Sequence, residues 1–134
     1  MTKGDIMTET GLVVIKGKSK TNTAIAKGDV VVLDTDGWAG VTSGTPGPFG
    51  VCLDDVAAVA GTQFDIRVAI RGRFEVTKPA GALIQGQPVK GDSTGAVELA
   101  VLTGMAPDEL MLVVGTVIDD AANADTTVVI ELGY

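Results

Sequence analysis

The feature that most restricts this chain is an internal repeat. Phe49-Gly50-Val51-Cys52-Leu53-Asp54-Asp55-Val56-Ala57-Ala58 aligns without a gap on Val114-Gly115-Thr116-Val117-Ile118-Asp119-Asp120-Ala121-Ala122-Asn123. Each copy leads, after a few small residues, into an alternating apolar stretch, at 64–70 and at 126–132. Upstream, Ala26-Lys27-Gly28-Asp29-Val30-Val31 resembles Ile84-Gln85-Gly86-Gln87-Pro88-Val89. The chain therefore reads as an extended N-terminal arm, 1–23, followed by two related halves near 24–77 and 80–134. Each half is too short to bury a core alone, so the two form a single pseudo-symmetric β domain over 24–134.

Local patterns place short strands at 11–16, 29–34, 38–42, 49–53, 63–70, 73–77, 87–90, 96–102, 111–118 and 126–132, the spacing of a small β-barrel or β-sandwich. The 18 glycines in 134 residues suit such a turn-rich chain and argue against a helix bundle. Asp34-Thr35-Asp36-Gly37 predicts a hairpin, because aspartate caps a turn and glycine accepts positive φ. Phe64, Ile66, Val68 and Ile70 alternate with polar residues, which buries one face of a strand and turns Arg67, Arg71 and Arg73 toward solvent or a partner. Helical signals are weak: a single turn beginning at Ala106-Pro107, and the helix-tolerant stretches 57–60 and 121–124, each too short for more than one turn. No apolar run approaches the length of a membrane span, and the N-terminus lacks a signal peptide's apolar centre, so a soluble protein made in the cytoplasm is expected.

The side chains offer little chemistry. There is no histidine, which removes the commonest general base and metal ligand. The lone Cys52 sits in an apolar strand and reads as a small buried hydrophobe. Asp54-Asp55 and Asp119-Asp120 end strands before alanine-rich turns. Neighbouring strand residues point to opposite faces, so these pairs read as turn caps rather than calcium or catalytic sites. Gly17-Lys18-Ser19 lacks the upstream glycine and following helix of a phosphate loop. Lys90, read at a turn, lacks the flanking residues of a biotinyl or lipoyl site. No serine stands in a nucleophile elbow. These patterns predict neither an enzyme nor a metal or other cofactor.

Charge is unevenly distributed. Residues 1–27 carry five lysines against Asp5 and Glu9, whereas the rest of the chain carries a net charge of -10 within an overall -7. An acidic body excludes nucleic acid and anionic membranes as partners, while a basic arm suits an acidic protein neighbour. Within that arm, Leu12-Val13-Val14-Ile15 is a hazard unless it pairs with something. Leu12, Val13, Val14, Ile15, Lys16, Lys18 and Lys20 are thus the candidate gripping residues. Arg67, Arg71 and Arg73 are candidates for an oligomer interface. Trp38 reads either as a core plug or as an interface anchor, and Tyr134 as a cap on the barrel.

The order of motifs resembles one family. Ala26-x-Gly28-Asp29-Val30-Val31, Gly50-Val51 with its aspartate-alanine turn, Val68-x-Ile70-x-Gly72-x-Phe74-Glu75-Val76, Gly86-x-x-Val89 and Gly115-x-Val117 together resemble the capsid decoration, or cement, proteins of phages and proviruses. The resemblance covers about residues 10–134. One departure is Lys90-Gly91-Asp92, where the family often has an aromatic residue, and this predicts a shortened strand. The resemblance implies a β protein on the outside of an icosahedral virion, commonly a homotrimer, that locks neighbouring major capsid protein subunits and has no catalytic residues. The competing reading is a cellular β-barrel module for a glycan or an extended peptide, with Trp38 and the 43–50 loop as its contact surface.

Overall fold

Val30, Val31 and Val32 are all buried, which a strand with one covered face cannot achieve. The computed structural model, which describes residues 6–101 and 107–133, gives the reason: the sheet carries a core on each side. Nine antiparallel strands make one sheet, curled as a half-barrel: β1 (Ile6–Lys18), β2 (Val30–Asp34), β3 (Gly37–Gly40), β4 (Phe49–Cys52), β5 (Asp65–Thr77), β6 (Pro88–Gly91), β7 (Val97–Leu99), β8 (Val113–Val117) and β9 (Thr127–Leu132). A 3-10 helix, Pro107–Leu112, precedes β8, close to the single turn predicted there.

The strand order is β3-β2-β4-β5-β9-β8-β6-β7, which is the same sequence of hairpin and neighbours read inward from either end. The repeat therefore extends to individual hydrogen bonds. Ile25 and Val56 exchange two backbone bonds, as do Leu83 and Ala121. Gly28 and Gly86 take φ of 88° and 89° and donate to Cys52 and Val117. Asp55 Oδ1 accepts from Lys27 N–H at 2.8 Å, and Asp120 Oδ1 accepts from Gln85 N–H at 2.7 Å. The second aspartate of each pair is thus a turn cap. At the seam, Phe74 on β5 faces Ile130 on β9, and both are fully buried.

The larger core lies between the halves and includes Val51, Phe74, Val76, Val89, Val117 and Ile130. The smaller covers the other face of the first half, where Val31, Cys52 and Val68 lie under Ile25, Val56 and Trp38. β5 serves both cores by changing face along its length. Val68 faces the smaller core, whereas Phe74 and Val76, also even-numbered, face the larger. The slip lies where Val13 opposes Arg71 but Val14 opposes Ala69, leaving Ile70 as an extra residue, with Gly72 at φ 128° beside it.

Several expectations change in detail. The stretches 63–70 and 73–77 are one strand, because the irregularity at Ile70–Gly72 bends β5 without ending it. Phe64 lies outside it and is exposed, its N–H held by Ser19 Oγ at 2.9 Å. Lys90 is within β6, opposite Glu98, rather than at a turn. β6 is one residue shorter than β2. Two buried polar side chains carry no signal in the sequence. Lys78 Nζ donates to the carbonyls of Pro79, Ala122 and Asp125 at 2.9–3.2 Å, clamping the end of β5 to the turn before β9. Glu75 accepts from Thr127 Oγ1 at 2.6 Å through one oxygen, while its other oxygen is buried without a partner.

Candidate functional site

β1 is an extended strand laid along β5, with Ile15 opposite Val68 and Lys18 opposite Asp65. The ladder uses one of its edges; near its end Gly17 lies against Trp38 and Ser19, just beyond, bridges Trp38, and the other edge has no ladder partner among the described residues. Ile15 packs against the smaller core and Leu12 against the larger, whereas Val13 and Val14 are 43% and 42% exposed. An apolar quartet on an edge strand is thus split, two side chains inward and two outward.

The arm lysines differ in their engagement. Lys18 Nζ lies 2.6 Å from Asp65, and Lys20 Nζ lies 2.8 Å from Asp34. The ammonium groups hold both carboxyls below their ordinary range, and the Asp34 contact raises Lys20. Both pairs are open to water, where such contacts are cheap to exchange. Lys16 has no ion pair among the described residues.

The arginines divide similarly. Arg67 Nη2 lies 2.8 Å from Asp54, whose other oxygen accepts the Arg67 N–H at 2.8 Å; these bonds push the Asp54 carboxyl down. Arg73 pairs with Glu131 at 3.5 Å. Arg71 has no carboxylate partner among the described residues. The bulge turns it to the same side as Ile70, and together they line a groove of about 460 Å³. Ile15, Leu33, Phe49 and Ile70 are apolar residues of its lining. Trp38 itself is 3% exposed and fills the smaller core, with its indole stacked so close to Gly17 that no side chain fits there. Tyr134 lies outside the described residues.

Among the described residues this surface offers apolar side chains, a backbone edge and charged groups. Cys52 is buried, its thiol pushed up by that burial and donating to the Asp54 carbonyl at 3.2 Å. No cluster of three metal-ligating side chains occurs among the described residues, and no helix there is long and apolar enough to cross a membrane.

The sequence profile of a phage cement protein family matches residues 8–132, spanning β1 and both halves of the repeat. The chain belongs to that family. No curated protein matches it. The family is a structural one, so this cement protein takes a capsid decoration role with a place in the virion. Among the described residues, the surface carries a strand edge without a ladder partner, an exposed valine pair, and a groove lined by Arg71, which has no carboxylate partner there. The groove is the part that the sequence conceals, since its lining comes from six strands between Ile15 and Val114, from Pro48 and from Gly133.

Proposed function

We propose that this cement protein sits on the outer surface of an icosahedral head and fastens neighbouring major capsid protein subunits, using β1 as its grip. The observation that carries the reading is the second edge of β1: it has no ladder partner among the described residues and can extend a neighbour's sheet, and Val13 and Val14 stand exposed beside it. Lys16 supplies a positive charge with no ion pair among the described residues, and the exposed pairs of Lys18 and Lys20 exchange for acidic shell groups at little cost. The subunit is made in the host cytoplasm and acts as a cyclic oligomer, a homotrimer matching the local symmetry of a shell. Many weak contacts then add across the particle, and no cofactor is required.

Titration of expanded shells with the wild type and a Val13→Asp, Val14→Asp variant tests the grip. Both residues are exposed, so the variant folds, and its apparent affinity falls by about tenfold or more. Equal occupancy for the two proteins overturns the assignment.

A further inference from the structure

The equivalence of the two halves reaches upstream into β1. Ile15 lies opposite Val68 on β5 as Phe74 lies opposite Ile130 on β9. Ser19 N–H donates to the Phe64 carbonyl at 2.9 Å, and Lys78 N–H donates to the Thr126 carbonyl at 3.0 Å. Ser19 and Lys78 are both buried, and Asn22 and Gly81 follow them at positive φ. Residues 14–18 of β1 therefore stand to the first half as residues 73–77 of β5 stand to the second.

The two stretches differ in what lies on their far edge. Arg73 and Phe74 have β9 on one edge and the start of β1 on the other, antiparallel, with Ile6 opposite Phe74 and Thr8 opposite Arg73. Val14, Ile15 and Lys16 have β5 on one edge and no ladder partner on the other among the described residues, and Trp38 meets the strand only at Gly17 and Ser19. Burial differs in the same sense. Phe74 and Glu75 are 0% and 7% exposed, whereas Ile15 is half-buried and Lys16 is exposed.

We propose that this edge of β1 receives an antiparallel strand of the shell protein, in the place that Ile6 and Thr8 take on β5, with an apolar residue opposite Ile15 and a carboxylate opposite Lys16. The assignment rests on the reading of β1 as the grip. Cross-strand partners share a face and neighbours along a strand alternate, so the residue opposite Ile15 stands on the side of the groove that Ile15 lines, and the one opposite Lys16 on the other side. On that side Lys16 already has a cation across the ladder, since Arg67 is its partner on β5. A third cation in the row would be repelled, and a carboxylate is attracted. The β1 of a second copy does not meet this requirement, because residues 12–20 hold three lysines and no acid.

The test reads strand direction on decorated particles. A photo-reactive benzophenone is attached at Val13→Cys or at Lys18→Cys, both exposed positions, while buried Cys52 is spared. After binding to expanded shells and irradiation, mass spectrometry finds both labels joined to one shell segment, with the link from position 18 nearer its N-terminus than the link from position 13. Alongside, Lys16→Glu keeps its thermal melt and lowers shell affinity by about tenfold at low salt, a loss that added salt narrows. Links in the opposite order, links to a second copy of this chain instead of the shell, or Lys16→Glu binding like the wild type overturns the proposal. The grip fails separately. Equal occupancy of the Val13→Asp, Val14→Asp protein removes β1 from the contact, whereas shell links in the parallel order leave β1 as the grip and refute the antiparallel register alone.

Discussion

Gly50 and Gly115 occupy equivalent places in the repeat, and each faces a strand that leaves no room for a side chain. A Cβ on Gly50 would lie 2.7 Å from the Ala69 carbonyl oxygen and meet Val68 Cγ1. A Cβ on Gly115 would run into the Glu131 carbonyl and then Leu132 Cα. Neither glycine has positive φ, so the penalty of alanine is steric alone. Ordinary contact begins near 3.4 Å, so β4 and β5 must part by about 0.7 Å around the Val51–Ala69 pair. Overpacking of that kind costs about 2 kcal/mol, and about 3 at Gly115, where backbone is struck more squarely. In a chain of this size that lowers Tm by roughly 8–12 °C. Gly44→Ala is the control: it has open space and φ of 84°, so it costs only the backbone strain, about 1 kcal/mol. Thermal and urea unfolding followed by circular dichroism rank the three as Gly115, Gly50, Gly44 in decreasing cost. If Gly50→Ala and Gly115→Ala are no worse than Gly44→Ala, the two halves are not held by the close strand approach described above.

Three further substitutions probe polar contacts. Arg67 holds the Asp54 carboxyl below its ordinary range, so the pair's stabilisation is present above the unfolded-state value near pH 4 and lost as pH falls through the lower folded value. Asp54→Asn therefore costs about 1 kcal/mol at pH 7, and urea titrations show that difference closing as pH falls through the depressed folded-state value of Asp54. Glu75→Gln keeps an acceptor for Thr127 and removes a buried charge with one unpartnered oxygen, which raises stability by about 1 kcal/mol; a loss instead would point to a partner for that oxygen. Lys78→Met leaves the carbonyls of Pro79, Ala122 and Asp125 without their donor and costs about 3 kcal/mol in the same measurement.

How much was legible in the sequence follows from where each signal resides. The two halves were readable because local turn chemistry repeats: a glycine at positive φ at 28 and 86, and an aspartate cap at 55 and 120. β5 looked like two strands because a bulge interrupts its period of two at the point where it passes from one core to the other. Leu12 to Ile15 are apolar on both faces, which says that the strand must pair but does not name β5 as the partner. The role of Trp38 was open because an aromatic after a turn glycine suits a core or an interface equally, and burial against Gly17 is a tertiary fact. Arg67, Arg71 and Arg73 looked alike in sequence. They differ only because Asp54 and Glu131 are brought beside two of them.

The most direct test of the decoration role is a cryo-electron microscopy comparison of mature heads with and without this protein. The expected difference density lies on the outer surface at threefold or quasi-threefold positions, bridges adjacent capsid subunits, and shows β1 running beside a shell strand. Density inside the shell, or heads identical in the two reconstructions, would contradict it.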